Sequence, residues 1–458
     1  MPKKTKRPTK KEARAAKRSD TRIDATPEDA IKIAIELHQS GDTDGAAAIY
    51  EKILKVLPNH VDALNFLGIA EHQRGKIDRA LALMQRAAEL APQHAGVHAN
   101  IGNILKMMGR RDEAEAAYRR ALELRPGDGN AMSNLATVLR EKGDVLGGIA
   151  LLRETIALHP DHFEAHLNLA NFLGQINQYE EALKINLKAL DIRPANAESY
   201  RQLGAVFYAL GRIQEAAEVY ERWVKLEPDN PVARHLLTAC GGADAPSRAS
   251  DEYVQRTFDS YAETFDASLG RLQYKAPGLV AEAVAAILEP KQELRVLDAG
   301  CGTGLCAPHL RPYAKRMVGV DLSAGMLAQA KRRGGYDDLV EAELTAFLDA
   351  HPRAYDLVVS ADTLVYFGDL DAALRAAAKS LSPGGALVFT VERSDESAAP
   401  SGHLLHPHGR YSHTEPYLRR ALADAGFDRV DVKEVELRKE AGKWVRGSLV
   451  TARTPTSP

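Results

Sequence analysis

The stretch Val296-Leu297-Asp298-Ala299-Gly300-Cys301-Gly302-Thr303-Gly304 decides the fold of the C-terminal half. An apolar run ends on a carboxylate and then on three alternate glycines. This is the pattern of a strand that stops in a sharp turn, because glycine takes left-handed backbone angles cheaply and lets a ligand approach the main chain. Outward from it, short apolar runs alternate with helix-length amphipathic stretches, as in a parallel sheet with crossover helices. Seven strands are predicted, at Arg295–Asp298, Met317–Asp321, Leu339–Ala342, Asp356–Ser360, Ala386–Val391, Arg429–Leu437 and Gly447–Ala452. The dinucleotide pattern G-x-G-x-x-G fails here, since its third glycine falls on Leu305. Asp298 argues the same way, because a carboxylate beside the turn would repel a pyrophosphate.

The companions of this turn come in order. Asp321 ends the second strand 21 residues after Gly300, the spacing at which a carboxylate reaches ribose hydroxyls. Leu322-Ser323-Ala324-Gly325-Met326-Leu327 follows it, Glu343-Leu344 follows the third strand, and Tyr355 to Asp362 forms a buried fourth strand. Leu381-Ser382-Pro383-Gly384-Gly385 makes a turn before the fifth. Together these resemble the ordered motifs of class I S-adenosylmethionine-dependent methyltransferases. The resemblance implies a Rossmann-like α/β domain with S-adenosylmethionine as cofactor. That molecule carries a sulfonium and an ammonium but no phosphate, so Asp298 is tolerated beside it. By the same resemblance Asp298, Gly300, Cys301, Gly302 and Gly304 bind the cofactor at the turn, and Asp321 holds the ribose. Leu322 and Met326 follow at the adenosine, Glu343 and Leu344 contact adenine, and Asp362 lies beside the methionine moiety.

Upstream, Tyr253, Phe258, Tyr261, Phe265 and Tyr274 crowd an otherwise aromatic-poor chain. Phe258 to Asp266 resembles the N-terminal lid helix of quinone-type methyltransferases, which implies a cover that excludes water. Core packing between helix and sheet is the alternative; Tyr261 is assigned to the lid. Methyl transfer is an in-line displacement, so orientation supplies up to roughly 7–11 kcal/mol. A hydroxyl or protonated-amine acceptor also needs a base, for which a histidine with a pKa near about 6.5 is suited. Four histidines stand between the fifth and sixth strands: His403, His406, His408 and His413. In Gly409-Arg410-Tyr411-Ser412-His413 a strand-like alternation aims Arg410 and His413 at the site. The candidate catalytic residues are therefore His413, Arg410 and Tyr261, a surface role being the alternative for each histidine. No carboxylate stands at ligand spacing, so no metal is expected.

The N-terminal half is periodic. Pro58, Pro92, Pro126, Pro160, Pro194 and Pro228 recur every 34 residues, the period of the tetratricopeptide repeat. Gly41, Gly75, Gly109, Gly143 and Gly211, with Asn177 in the remaining copy, mark the turn between two helices. Ala46, Ala80, Ala114, Ala182 and Ala216, with Gly148 in the fourth copy, mark the closest helix contact. The repeats run 27–60, 61–94, 95–128, 129–162, 163–196 and 197–230. Such units stack into a superhelix whose concave face binds partners. Segments around Asn100 and Asn168 resemble the repeats of O-linked N-acetylglucosamine transferase, which implies that Asn100, Asn134 and Asn168 grip the backbone of an extended peptide; local packing is the alternative. The C-terminal half resembles a bacterial group of predicted methyltransferases fused to tetratricopeptide repeats, in which G-R-Y-x-H and the Leu437-Arg438 pair recur.

At 458 residues the chain exceeds one domain. The expected division is a basic disordered leader over 1–26, six repeats with a capping helix over 27–240, a linker over 241–250 and a methyltransferase domain over 251–458. A net charge of -2 and 45% hydrophobic residues exclude a global bias toward polyanions or membranes. No run approaches the roughly 18 apolar residues of a bilayer span, and a cytoplasmic location is expected. Cys240, Cys301 and Cys306 lack zinc or disulfide spacing. Nucleic acid has no claim except through the leader, in whose first 22 residues ten basic residues face only Glu12 and Asp20. The expected function is N- or O-methylation of an acceptor recruited by the repeats, a protein or peptide. A small-molecule, quinone-like enzyme with docking repeats is the alternative, and a non-catalytic scaffold the weaker one.

Overall fold

The computed structural model describes residues 26–241, 245–440 and 442–456. The leader, up to residue 25, and residues 242–244 of the expected linker lie outside them. The chain divides into two compact units after Ile176.

In the first unit the phased residues become helical hairpins: Pro27–Gln39 with Thr43–Val56, Val61–Gln73 with Ile77–Leu90, Ala95–Met107 with Arg111–Leu124, and Gly129–Glu141 with Val145–Leu158, followed by Phe163–Gln175. Every turn glycine here has positive φ, from 71° at Gly109 to 95° at Gly143, the left-handed conformation that lets a helix end sharply. Small residues seat the large ones. A Cβ on Gly102 would lie 2.7 Å from the Tyr118 ring, and one on Gly148 would lie 2.9 Å from the Ala136 carbonyl and the Phe172 ring. Tyr50, Tyr118, Leu64, Leu67, Met84 and Leu152 are almost wholly enclosed, each worth about 1.5–3 kcal/mol of burial.

The second unit opens with helices Tyr179–Ile192, Ala197–Ala209, Ile213–Leu226 and Pro231–Gly241. Helices Asp251–Tyr261, Phe265–Arg271 and Ala276–Ile287 lead into the sheet. Its strands are β1 (Leu294–Ala299), β2 (Ala314–Asp321), β3 (Asp338–Glu341), β4 (Tyr355–Ser360), β5 (Leu381–Arg393), β6 (His403–Leu405), β7 (Tyr411–His413), β8 (Arg429–Glu440) and β9 (Lys443–Arg453). The order is β3-β2-β1-β4-β5, parallel, with β9 antiparallel on the free edge of β5 and β8 beyond it. All seven expected strands are present. Two three-residue strands join them: β7 pairs with β5 at Glu392 and Arg393, past the end of β4, and β6 pairs with β7.

Successive strand residues feed opposite cores. Leu297, Val358 and Leu387 pack with helices Leu344–Ala350, Asp371–Ser380 and Glu415–Asp424, whereas Val296, Leu357 and Val388 pack with Ala276–Ile287. A sheet covered on both faces reads as continuous apolar runs, which is why its strands are so legible. The order reverses between β1 and β4, which opens a crevice at their carboxyl ends. Among the described residues no helix is long and apolar enough to cross a membrane.

Candidate active site

A cavity of about 650 Å³ fills that crevice, within the range of small-molecule pockets. Its floor is the turn after β1. Gly300 and Cys301 donate their N–H groups to Val320 O at 2.8 and 2.9 Å, and Gly302 donates to Asp321 Oδ2 at 2.8 Å. Gly300, Gly302 and Gly304 have φ of 78°, 53° and 84°. A Cβ on Gly300 would sit 2.2 Å from Thr363 Oγ1, so the turn and the end of β4 touch only because the side chain is missing. Cys301 is buried, and burial pushes its thiol well above the ordinary range. Gly304 does not line the cavity; it faces Tyr336.

Acids ring this floor. Asp298 is 1% exposed and accepts from Tyr336 Oη at 2.6 Å. Burial raises it to about 7, against the lowering hydrogen bond and with the Asp321 charge adding. Asp321 also accepts from Ser323 N at 2.9 Å; burial raises its pKa and its main-chain donors oppose the rise. Each of its oxygens keeps a further lone pair, enough for ribose hydroxyls. Glu343 caps helix Leu344–Ala350 through Thr345 N at 3.0 Å and Ala346 N at 2.7 Å. Leu322, Met326 and Leu344 line the apolar wall between these acids.

Around the end of β4 lies a network that the sequence does not announce. Asp362, at φ 60°, binds Arg438 Nη1 through Oδ2 at 2.6 Å, while its Oδ1 is enclosed and unpartnered. Arg438 also holds Glu392 and, at 2.7 Å, Glu440; Arg410 holds Glu392 at 2.7 Å and Glu440 at 2.5 Å. Burial raises Glu392 and Glu440, but the arginines outweigh it and hold both below the usual carboxylate range.

The histidines divide. His413 is fully buried, donates from Nε2 to Gly368 O at 3.1 Å, stacks on Tyr417 and is not part of the cavity wall. Burial pushes it down to about 4. His408 does line the cavity, with Nδ1 accepting from Arg410 N at 3.3 Å and Nε2 3.5 Å from Glu392; burial, with Arg410, lowers it to about 3. Arg410 and Tyr261 line the cavity as well.

The outer wall comes from the sixth repeat and its capping helix. Arg201, Ala205, Tyr208, Tyr220, Trp223 and Leu236 all line the cavity. Arg201 donates to Tyr261 Oη at 2.8 Å while paired to Glu198, and Tyr208 meets His408 edge to face. His235 donates to Gly409 O at 2.8 Å and stacks on Tyr253 at 3.9 Å, and Tyr411 Oη donates to Pro246 O at 2.6 Å. Thus Gly409, Arg410, Tyr411 and His413 each fasten a different neighbour. Helices Asp251–Tyr261 and Phe265–Arg271 are tied down by two carboxylates: Asp259 accepts from Ser323 Oγ at 2.5 Å and Gly325 N at 3.1 Å, and Asp266 accepts from Thr303 Oγ1 at 2.5 Å and pairs with Arg333.

In the first unit Asn100 donates to Asn65 Oδ1 at 2.9 Å, Asn134 to Asn103 Oδ1 at 3.1 Å and Asn168 to Ser133 Oγ at 3.2 Å. Each is half-buried and tied to the preceding repeat.

Residues 272–432 match a family model described as a methyltransferase domain. Tetratricopeptide-repeat models match residues 31–95, 71–139, 151–184, 173–211 and 197–240. The chain joins tetratricopeptide repeats to a methyltransferase domain. The acids around the glycine turn fit S-adenosylmethionine, the cofactor of such domains, which carries no phosphate for them to repel. A malonyl-[acyl-carrier protein] O-methyltransferase of Enterobacter lignolyticus is 36% identical over 115 residues, 25% of this chain and 45% of that protein. Another, of Priestia megaterium, is 28% identical over 171 residues, 36% of this chain and 58% of that protein. A ubiquinone biosynthesis O-methyltransferase of Pectobacterium atrosepticum is 32% identical over 105 residues, 22% of this chain and 44% of that protein. The chain spans about half the length of these curated relatives.

Proposed function

We propose that this chain transfers the methyl group of S-adenosylmethionine to an oxygen or nitrogen of a protein or peptide seated against the sixth repeat. The observation that carries the reading is the shared cavity: the turn after β1 forms one wall and Arg201, Ala205, Tyr208 and Trp223 form another. In the 34-residue phase Tyr208 stands where earlier repeats carry Lys106 and Arg140, and Ala205 where they carry Asn103 and Asn171. The face that in the third and fourth repeats carries Asn103, Lys106, Thr137 and Arg140 carries here a small and an aromatic residue, which suits an acceptor wall.

When bound, S-adenosylmethionine supplies a methyl carbon already activated by a sulfonium. The chain's own task is then orientation and exclusion of water. Asp321 and Glu343 fix one end of the site, Asp362 the other, and Asp259 and Asp266 hold the lid shut over them. His408 is neutral with Nδ1 occupied, so the histidine wall offers no free base. This favours an acceptor that is nucleophilic without losing a proton to imidazole, such as a carboxylate. A second reading, transfer to a small molecule or to an acid borne on a carrier, is supported by the relatives, which are named O-methyltransferases.

Labelled S-adenosylmethionine added to a lysate separates the two. Counts on amino-acid side chains of the digested protein fraction, lost with Asp321→Ala, are expected; counts confined to small molecules or to an acid borne on a carrier would sink the protein reading. Removing residues 1–240 would strip the cavity wall itself, so a point substitution is the cleaner probe. Ala205→Trp should cut transfer by at least about tenfold while cofactor binding stays unchanged, because it crowds the acceptor and not the turn. Undiminished transfer would mean that this wall does not touch the acceptor.

A further inference from the structure

We infer that the face shared by the first helices of the third and fourth repeats takes an acidic segment of a partner protein, whose carboxylates sit against Lys106 and Arg140. All the residues involved lie in the first unit, outside the methyl-transfer site. His38, His72, Lys106 and Arg140 recur at 34-residue intervals, each the penultimate residue of the first helix in its repeat. Lys106 Nζ donates to Asn134 Oδ1 at 3.1 Å, and Arg140 Nη1 donates to Asn171 Oδ1 at 3.0 Å. Both bonds reach the first helix of the next repeat, as those of Asn100, Asn134 and Asn168 reach that of the preceding one. The first helices are therefore laced side by side into one continuous surface, the kind that such arrays offer to partners. By phase it is the face that in the sixth repeat lines the cavity through Ala205 and Tyr208.

Lys106 is half-buried, and its bond is to a neutral amide; among the described residues no carboxylate comes within 4.0 Å of its Nζ. Glu141, an acid close enough to be felt, is committed to Arg111 at 3.1 Å. Taking an ammonium out of water without an opposite charge is costly. Burial accordingly lowers the pKa of Lys106, with Glu141 opposing the fall and Arg140 adding to it. The charge is not a requirement of the repeat, since the same position holds Gly174 in the fifth copy and Tyr208 in the sixth. A carboxylate set against Lys106 and Arg140 supplies the missing counter-charge through charge-assisted hydrogen bonds. The amides beside them, on Asn100, Asn103, Asn134 and Asn171, each combine donors with an acceptor and so match peptide groups. Nucleic acid is held by several phosphate contacts, and two firm cations fall short of that.

Fluorescence anisotropy of the full-length chain at physiological salt tests this, with a labelled alternating glutamate–glycine peptide and its glutamine–glycine counterpart as probes. The glutamate peptide should bind at least about tenfold more tightly, the scale of a hydrogen bond to a charged group. Lys106→Met should remove most of that preference, and Arg140→Gln a similar share, with the glutamine peptide left within about threefold. Lys52→Met makes the same charge change at an exposed site on the second helix Thr43–Val56 and should alter neither peptide; the pull of the basic leader is common to every variant. Lys106→Met should melt no lower than the wild type, because it sheds a charge that has no counter-ion. Equal binding of the two peptides by the wild type overturns the inference. So does a preference that Lys106→Met leaves intact, or that Lys52→Met lowers as much. A large fall in melting temperature would make Lys106 a support of the fold, and displacement of the glutamate peptide by an equal concentration of oligouridylate would give the row to nucleic acid; either result overturns it too.

Discussion

Arg438→Met should destabilise the second unit by about 3–5 kcal/mol, because removing one partner of a buried ionic network strands the others. Arg438 touches Asp362, Glu392 and Glu440 at once, and Arg410 contacts only the last two. In a domain of this size the loss corresponds to a melting temperature lower by roughly 10 °C. Its pH dependence is diagnostic. Glu392 and Glu440 are depressed in the folded state, so their stabilisation is present above the unfolded carboxylate value of about 4.3 and is lost as pH falls through the folded values. The gap between wild type and variant should be widest near neutrality and narrow as pH drops below about 4.3. Thermal melts from pH 7 to pH 3 measure it; a gap that stays constant over that range would mean lost packing, not lost charge pairing.

How much of this could be read from the chain alone follows from where the signals live. The repeat was legible because steric demands recur in phase: the positive-φ positions Gly41, Gly75, Gly109, Gly143, Asn177 and Gly211 are those the 34-residue spacing marks. The long strands were legible because both faces of the sheet are buried. β6 and β7 were not, since three residues carry no period. In extended backbone, positions three apart point to opposite faces; Arg410 accordingly lines the cavity while His413 packs against Tyr417. The network of Asp362, Glu392, Arg410, Arg438 and Glu440 joins positions as far as 76 residues apart, and spacing along the chain does not foretell it. Tyr208, Tyr220 and Trp223 belong by phase to the sixth repeat, and that they line the cavity shows only in three dimensions. The likeness to repeat-fused methyltransferases flagged the Leu437-Arg438 pair without its reason, which is the ion network.

Gly300→Ala should lower S-adenosylmethionine affinity by roughly a hundredfold and cost about 3 kcal/mol of stability, through two separate strains. At φ 78° the new residue sits in the left-handed region, worth roughly 1–2 kcal/mol on its own. Its Cβ would then lie 2.2 Å from Thr363 Oγ1 and 2.3 Å from Thr363 Cγ2, forcing the end of β4, and with it Asp362, away from the turn. Gly278→Ala is the control: that glycine lies in helix Ala276–Ile287, its Cβ would meet nothing within 4 Å, and the change should stabilise by about 0.5–1 kcal/mol. Because the clash names its partner, Thr363→Gly in the Gly300→Ala background should recover part of the loss, leaving the backbone strain behind. Titration and melting of the two single variants and the double variant give the coupling between the sites, expected at 0.5 kcal/mol or more on the scale of about 0.5–3 kcal/mol seen for contacting residues. Strict additivity would mean that the turn and the end of β4 do not bear on each other, and the close packing drawn between Gly300 and Thr363 would no longer explain why the turn carries a glycine there.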